Sequence, residues 1–184
     1  MKYFGLALVL SISMASSFAA DYVIDTKGAH ASINFRVSHL GYSWLLGRFN
    51  TFDGKFSYDA AKPEESVIMV NIDTTSLDSN HAERDKHLMS DDFLHADKFP
   101  KATFKSTQVT DKGDGKLMVT GDFTLHGVTK SIVIEAQKVG EGEDPWGGYR
   151  AGFSGTTKIN MGDFGFKKNY GDVWLDLHVE GVRQ

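Results

Sequence analysis

Apolar residues recur at every second position in run after run of this chain, with turn residues between the runs, and that period of two commits most of the sequence to half-buried β-strands. Ile33, Phe35 and Val37 alternate with Asn34, Arg36 and Ser38, while Leu117, Val119, Gly121, Phe123 and Leu125 alternate with Met118, Thr120, Asp122 and Thr124. The pattern returns at Tyr149, Ala151, Phe153, Gly155, Thr157 and Ile159, and at Val173, Leu175, Leu177 and Val179. Segments 22–25, 49–58, 67–74, 102–110 and 132–138 bring the expectation to about eight or nine strands, the first very short. Turn chemistry at 112–115, at His126-Gly127 and across 140–148, with Pro145 inside, predicts antiparallel hairpins.

An all-β chain of this kind closes into a barrel or stacks as a sandwich. Closure is the better solution, because long hairpins with one apolar face and no helix in the second half have few other ways to cover both that face and the sheet edges. One stretch interrupts the strands. Around 81–94, Glu83, Arg84, Lys86, His87 and Asp91 surround Ala82, Leu88, Met89, Phe93 and Leu94, which predicts one or two short helices. Asn80 is the expected N-cap, with Glu83 three residues on, and Pro100 ends the helical tendency.

The N-terminus reads as a cleaved secretory signal over residues 1–19: Lys2, then an apolar stretch from Phe4 to Leu10, then small residues before Ala20. Ser11, Ser13, Ser16 and Ser17 break the apolar run well short of the roughly 18 residues a membrane anchor needs. The remaining residues, 20–184, suit a single domain. The formal charge is −4, and removal of Lys2 makes it more negative. With acids and bases interspersed and no basic block, nucleic acid is not an expected partner. The chain has no cysteine, so thiol chemistry and cysteine metal sites are excluded and the core must hold the fold without disulfides.

A barrel of about eight strands is just wide enough to be filled by its own side chains or to hold one small ligand. Phe35, Phe52, Phe56, Phe104, Phe123 and Phe153 are the inward candidates; Phe49, out of phase with Phe52, joins them across a bulge or from a rim. Gly54, Gly121 and Gly155 share those faces, which leaves room for a cavity; equally, the phenylalanines could be an ordinary core and the glycines bends or bulges. Trp44, beside Leu45-Leu46, is the candidate pore entrance.

The runs 34–41 (NFRVSHLG), Gly47-Arg48-Phe49, Phe52-Asp53-Gly54, NHAERDKHLMSDDFL from Asn80, Phe99-Pro100, Ala102-Thr103-Phe104, Gly121-Asp122-Phe123-Thr124-Leu125 and Gly127-Val128-Thr129-Lys130, in that order, resemble the YceI family. The resemblance implies a periplasmic, lipocalin-like barrel of eight antiparallel strands whose apolar pore holds a polyisoprenoid, such as an isoprenoid quinone or related prenyl lipid. It implies neither catalytic residues nor a metal or cofactor. On that view Phe35, Trp44, Phe49, Phe52, Phe56, Phe93, Phe104, Phe123 and Phe153 are expected to contact the lipid, and His39, His81, Arg84 and Asp85 are candidates for its head group or for the rim. Transient membrane contact and a homodimer are compatible with it.

Other classes have weaker footing. His81, Asp85 and His87 match no standard metal cage, since on one helix the two histidines lie about 120° and about 9 Å apart. Asp91-Asp92, Asp172 with Asp176, and Glu141 with Glu143 and Asp144 offer carboxylates for a periplasmic enzyme acting on a small or glycan substrate, yet none is framed as a catalytic pair. No serine elbow, phosphate loop or zinc-protease helix occurs. A filled-core interaction protein and an outer-membrane barrel stay open, because alternation alone does not say which way the apolar face looks.

Overall fold

The computed structural model describes residues 19–184; all but the last residue of the expected signal lies outside them. The strands are β1 (Ala20–Ile24), β2 (Ser32–His39), β3 (Ser43–Phe49), β4 (Phe52–Tyr58), β5 (Val67–Asp73), β6 (Leu77–Asp78), β7 (Lys101–Gly113), β8 (Lys116–Leu125), β9 (Val128–Glu143), β10 (Tyr149–Asn160) and β11 (Asp172–Arg183). Helix α1 (Ala82–Met89) lies between β6 and β7. Alternation sets the faces: along β8, Leu117, Val119, Phe123 and Leu125 are buried while Asp122 is exposed.

All pairings are antiparallel, and the order β1-β4-β5-β7-β8-β9-β10-β11 returns to β1, a closed ring of eight strands. The seam pairs Tyr22 with Arg183, Val23 with Val182 and Ile24 with Gly181. The N-terminal half of β11 pairs instead with β2, which continues through β3 to β6. Two tight hairpins bound β8, and each uses two left-handed residues, Asp114-Gly115 (φ 53° and 74°) and His126-Gly127 (φ 54° and 74°). That geometry matches the twist of the flanking strands.

Four local expectations need correction. Residues 49–58 do not form one strand: Asn50 and Thr51 separate β3 from β4, and their amides bond across to Ser76. The segment around Trp44 is a strand in its own right, because Leu45, Gly47 and Phe49 supply an inward face opposite Val37, Phe35 and Ile33. The turn expected over 140–148 is shorter, since β9 continues to Glu143. Asn80 is not the N-cap; its φ of 62° removes it from the extended conformation a cap requires. His81 caps instead, its Nδ1 accepting from the Arg84 amide at 3.2 Å.

Candidate functional site

The inward faces of β4, β5, β7–β11 and parts of β1 and β2 enclose a cavity of about 140 Å³. Phe52, Phe56, Phe104, Phe123 and Phe153 line it together with aliphatic residues such as Ile68, Val70, Ile134, Leu175 and Leu177, and among the described residues no charged side chain reaches it. Phe153 meets Phe56 and Tyr58 edge-on, at 5.6 and 5.0 Å between ring centroids, a favoured aromatic arrangement. Polar groups on the wall are few: Ser57, Tyr58, Ser66, Ser154 and Thr157. The Ser66 hydroxyl is buried without a hydrogen-bond partner among the described residues.

The expected glycine space is largely taken. Cβ atoms at Gly121 and Gly47 would fall 2.4 and 2.2 Å from the rings of Phe104 and Phe35, and one at Gly54 would fall 2.7 Å from Ile24 Cδ1. The glycines therefore seat neighbouring side chains, and the void is what remains between rings. A largely apolar cavity of this size admits a benzene-sized guest, below the 300 Å³ or so where ordinary ligand pockets begin. Taking a long chain requires the aromatic rings to swing aside.

The other candidates lie around the cavity rather than on it. Phe35 and Phe49 belong to the apolar cluster, 5.9 Å apart, beside the cavity. Phe93 is buried beyond α1, between His87 at 5.1 Å and Tyr170 at 5.8 Å. Trp44 faces outward, half exposed, edge-on to Trp174 at 5.0 Å and beneath the Arg36 guanidinium. His39 is exposed at the end of β2. Arg84 Nε donates to the Ser79 hydroxyl at 2.7 Å, and the Ser79 amide donates to Asp85 at 2.8 Å, so these two charges fasten α1 to the preceding loop. The aliphatic lining was implicit in the alternation; Ser66 and Tyr58 gave no such signal, because each sits at the end of a strand pattern.

Each carboxylate set that invited an enzymatic reading lies off the cavity wall and has at least one member in an ion pair. Asp91 pairs with Lys167, Asp92 with Lys168 and His87, Asp172 with Lys158, and Glu141 with Lys138. Hydrogen bonds from these lysines hold Asp91, Asp92 and Asp172 below the usual carboxylate range, and Arg150 does the same to Asp144. A general acid needs the opposite shift. Among the described residues, Asp25, His30 and Glu180 bring three potential metal-ligand atoms within 4.8 Å. A cation already occupies the centre: Arg150 Nη1 donates to Asp25 and Glu180 at 2.6 and 2.5 Å, and its Nε to Asp144 at 2.8 Å.

The apolar side of the sheet looks inward, while Lys55, Lys105, Asp122, Glu135 and Lys158 stand exposed outside. A barrel spanning a bilayer needs an apolar outer band. What these features define is a small closed antiparallel barrel with an apolar interior and a charged exterior. The chain belongs to the YceI family, whose YceI-like domain model matches residues 22–181. It is 62% identical over 182 residues to a UPF0312 protein of Vibrio cholerae serotype O1, covering 98% of this chain and 96% of that one. A Campylobacter jejuni YceI protein, solved as a crystal structure with large solvent channels, superposes with a TM-score of 0.74 at 27% identity, over 100% of this chain and 99% of that one. The fold is also shared by a polyisoprenoid-binding domain from Saccharophagus degradans implicated in plant cell wall breakdown (TM-score 0.66, 15% identity, 91% and 100% covered).

Proposed function

We propose that this protein is a periplasmic binding and carrier protein for a polyisoprenoid lipid, an isoprenoid quinone or related prenyl lipid, held inside the barrel. The observation that carries this reading is the cavity wall, built mainly from phenylalanine and aliphatic side chains and, among the described residues, without a charge. The description of the Saccharophagus domain as polyisoprenoid-binding agrees with it. The expected signal supports export, and β1 begins at Ala20, where the mature chain would start.

The physics favours exchange over permanent capture. A forty-carbon prenyl chain at about 0.8 kcal/mol per buried methylene-sized group gains about 32 kcal/mol against water, beyond the roughly 18–21 kcal/mol limit of non-covalent affinity. Its real alternative is a bilayer, whose tails are as apolar as leucine, so transfer into the barrel is close to neutral. Such a carrier must touch membranes. The β2–β3 hairpin offers a surface for it, with Leu40, Tyr42, Trp44 and Leu46 between 50% and 87% exposed.

Native mass spectrometry of detergent-free protein purified from the periplasm, with organic extraction, tests the reading. A discrete added mass that extracts as a prenyl quinone or prenyl alcohol is the expected result. Protein that is ligand-free and stays so after incubation with prenyl-lipid vesicles overturns it.

A further inference from the structure

The wall of the barrel has a slot. The β9–β10 ladder ends at Glu135 and Thr156, yet β9 extends back to Val128 and β10 on to Asn160, so 128–134 and 157–160 lie outside it. Just past its end the Thr157 hydroxyl donates to the Val133 carbonyl at 2.7 Å, a side chain standing in for a strand partner. At the far end the turn after β10 crosses back, and His126 Nδ1 lies 3.0 Å from the Phe164 carbonyl. A closed barrel otherwise abolishes free strand edges.

Outside the slot lies a groove of about 790 Å³. Ile132, Thr157 and Leu175 line both this groove and the internal cavity, so the two spaces share a wall one side chain thick. Phe164 fills the partition. It lines the groove, is 1% exposed, and packs edge-on against the cavity residue Phe123 at 5.6 Å. Its backbone belongs to a single 3₁₀ turn, Met161–Phe164, ended by Gly165 in the left-handed conformation, rather than to a strand ladder. Swinging it aside breaks few bonds.

The groove's polar side has an unmet need. Arg36 Nε is buried without a hydrogen-bond partner among the described residues, although the guanidinium lies 5.1 Å over Trp44. Lys130 and Lys158 line the groove too, but so do Glu135, Asp163 and Asp176, and Lys158 is paired with Asp172 at 2.8 Å. Such a balanced set suits a neutral head bearing acceptor oxygens better than a phosphate, which the three acids would repel.

We infer that the slot is a lateral port: the prenyl chain passes between β9 and β10 with Phe164 as the plug, and the neutral, oxygen-bearing head stays in the groove beside Arg36. This rests on the prenyl-lipid reading above. Side entry also removes the need to drag a polar head through an uncharged interior.

The absence of cysteine makes the port directly testable. Ser131→Cys, exposed on the groove wall, and Lys55→Cys, on β4 across the ring, are each capped with a bulky maleimide and mixed with vesicles carrying an octaprenyl quinone. Capping at Ser131 is expected to slow uptake by about tenfold or more, and capping at Lys55 to leave it unchanged. Phe164→Ala should speed both uptake and release. Arg36→Met should weaken retention of the quinone by about tenfold while leaving that of squalene, which lacks a head group, unchanged. Equal uptake by capped and uncapped Ser131→Cys, in protein that loads normally, overturns the port and leaves the prenyl-lipid reading standing; equal quinone retention by Arg36→Met overturns the head-group placement. If the unmodified protein takes up no quinone at all, the lipid reading fails and the port fails with it.

Discussion

Phe35 rests on Gly47, its cross-strand partner, so closely that a Cβ there would lie 2.2 Å from the ring's Cζ. The Phe104 ring likewise lies on Gly121, diagonally across the β7–β8 ladder, where a Cβ would also lie 2.6 Å from the Lys105 carbonyl oxygen. A ring can turn away; a backbone carbonyl in a ladder cannot. Gly47→Ala is therefore expected to cost about 1–3 kcal/mol, and Gly121→Ala more, in urea unfolding. Equal stability of Gly121→Ala and wild type would show that the wall yields where its ladder says it cannot.

Removing a ring from the cavity wall lowers stability and enlarges the space a ligand fills. Phe104→Ala should lose about 3–5 kcal/mol in lipid-free protein. Bound prenyl lipid should restore part of that loss, so the melting temperature should rise more on loading in the variant than in wild type. Phe153→Asp, which puts a charge into the uncharged lining, should fold less stably and retain no lipid; lipid still bound to folded Phe153→Asp would remove that residue from the site.

The Arg150 cluster predicts an acid limb. Hydrogen bonds from Arg150, first, and His30 hold Asp25 far below its ordinary range. The folded pKa thus lies below the unfolded value of about 3.9, so the stabilisation is complete above that pH and is lost as the pH falls towards the folded value. Arg150→Met should lower the melting temperature by several degrees at pH 7, and the gap from wild type should narrow steadily below about pH 4. A gap that stays constant down to pH 2 would refute this origin.

Asp85 holds the helical insertion through the Ser79 amide and hydroxyl. Asp85→Ala leaves Ser79, 4% exposed, without its acceptor. A loss of about 1–3 kcal/mol is expected, with faster amide exchange confined to 79–94.

If the β2–β3 hairpin meets membranes, replacing Leu40 and Tyr42, 74% and 87% exposed, by serine should reduce co-sedimentation with lipid vesicles several-fold while leaving the melting temperature unchanged.

The barrel was legible because alternation is a direct record of which face is buried, and 117–125 states it most plainly. The interior was legible only in part. Phe52, Phe56, Phe104, Phe123 and Phe153 line the cavity as their phase required, but no one-dimensional pattern shows that Gly121 seats the Phe104 ring, since the two meet across a ladder. Trp44 looked like an entrance by composition; the register with Ser38 turns it outward towards Trp174. The slot between β9 and β10 left only a faint mark, Lys130 exposed at the inward phase of Val128 and Ile132, while 157–160 reads as an ordinary strand where its pairing stops.

The seam of the ring joins its earliest strand to its latest, and the Gln184 amide bonds to the Asp21 carbonyl. Until the final dozen residues arrive, the sheet has two raw edges and nothing to enclose. Closure therefore waits for β11. On the export reading proposed above, a chain with this delay built into its topology stays threadable during delivery through a narrow channel and closes into a barrel only on the far side.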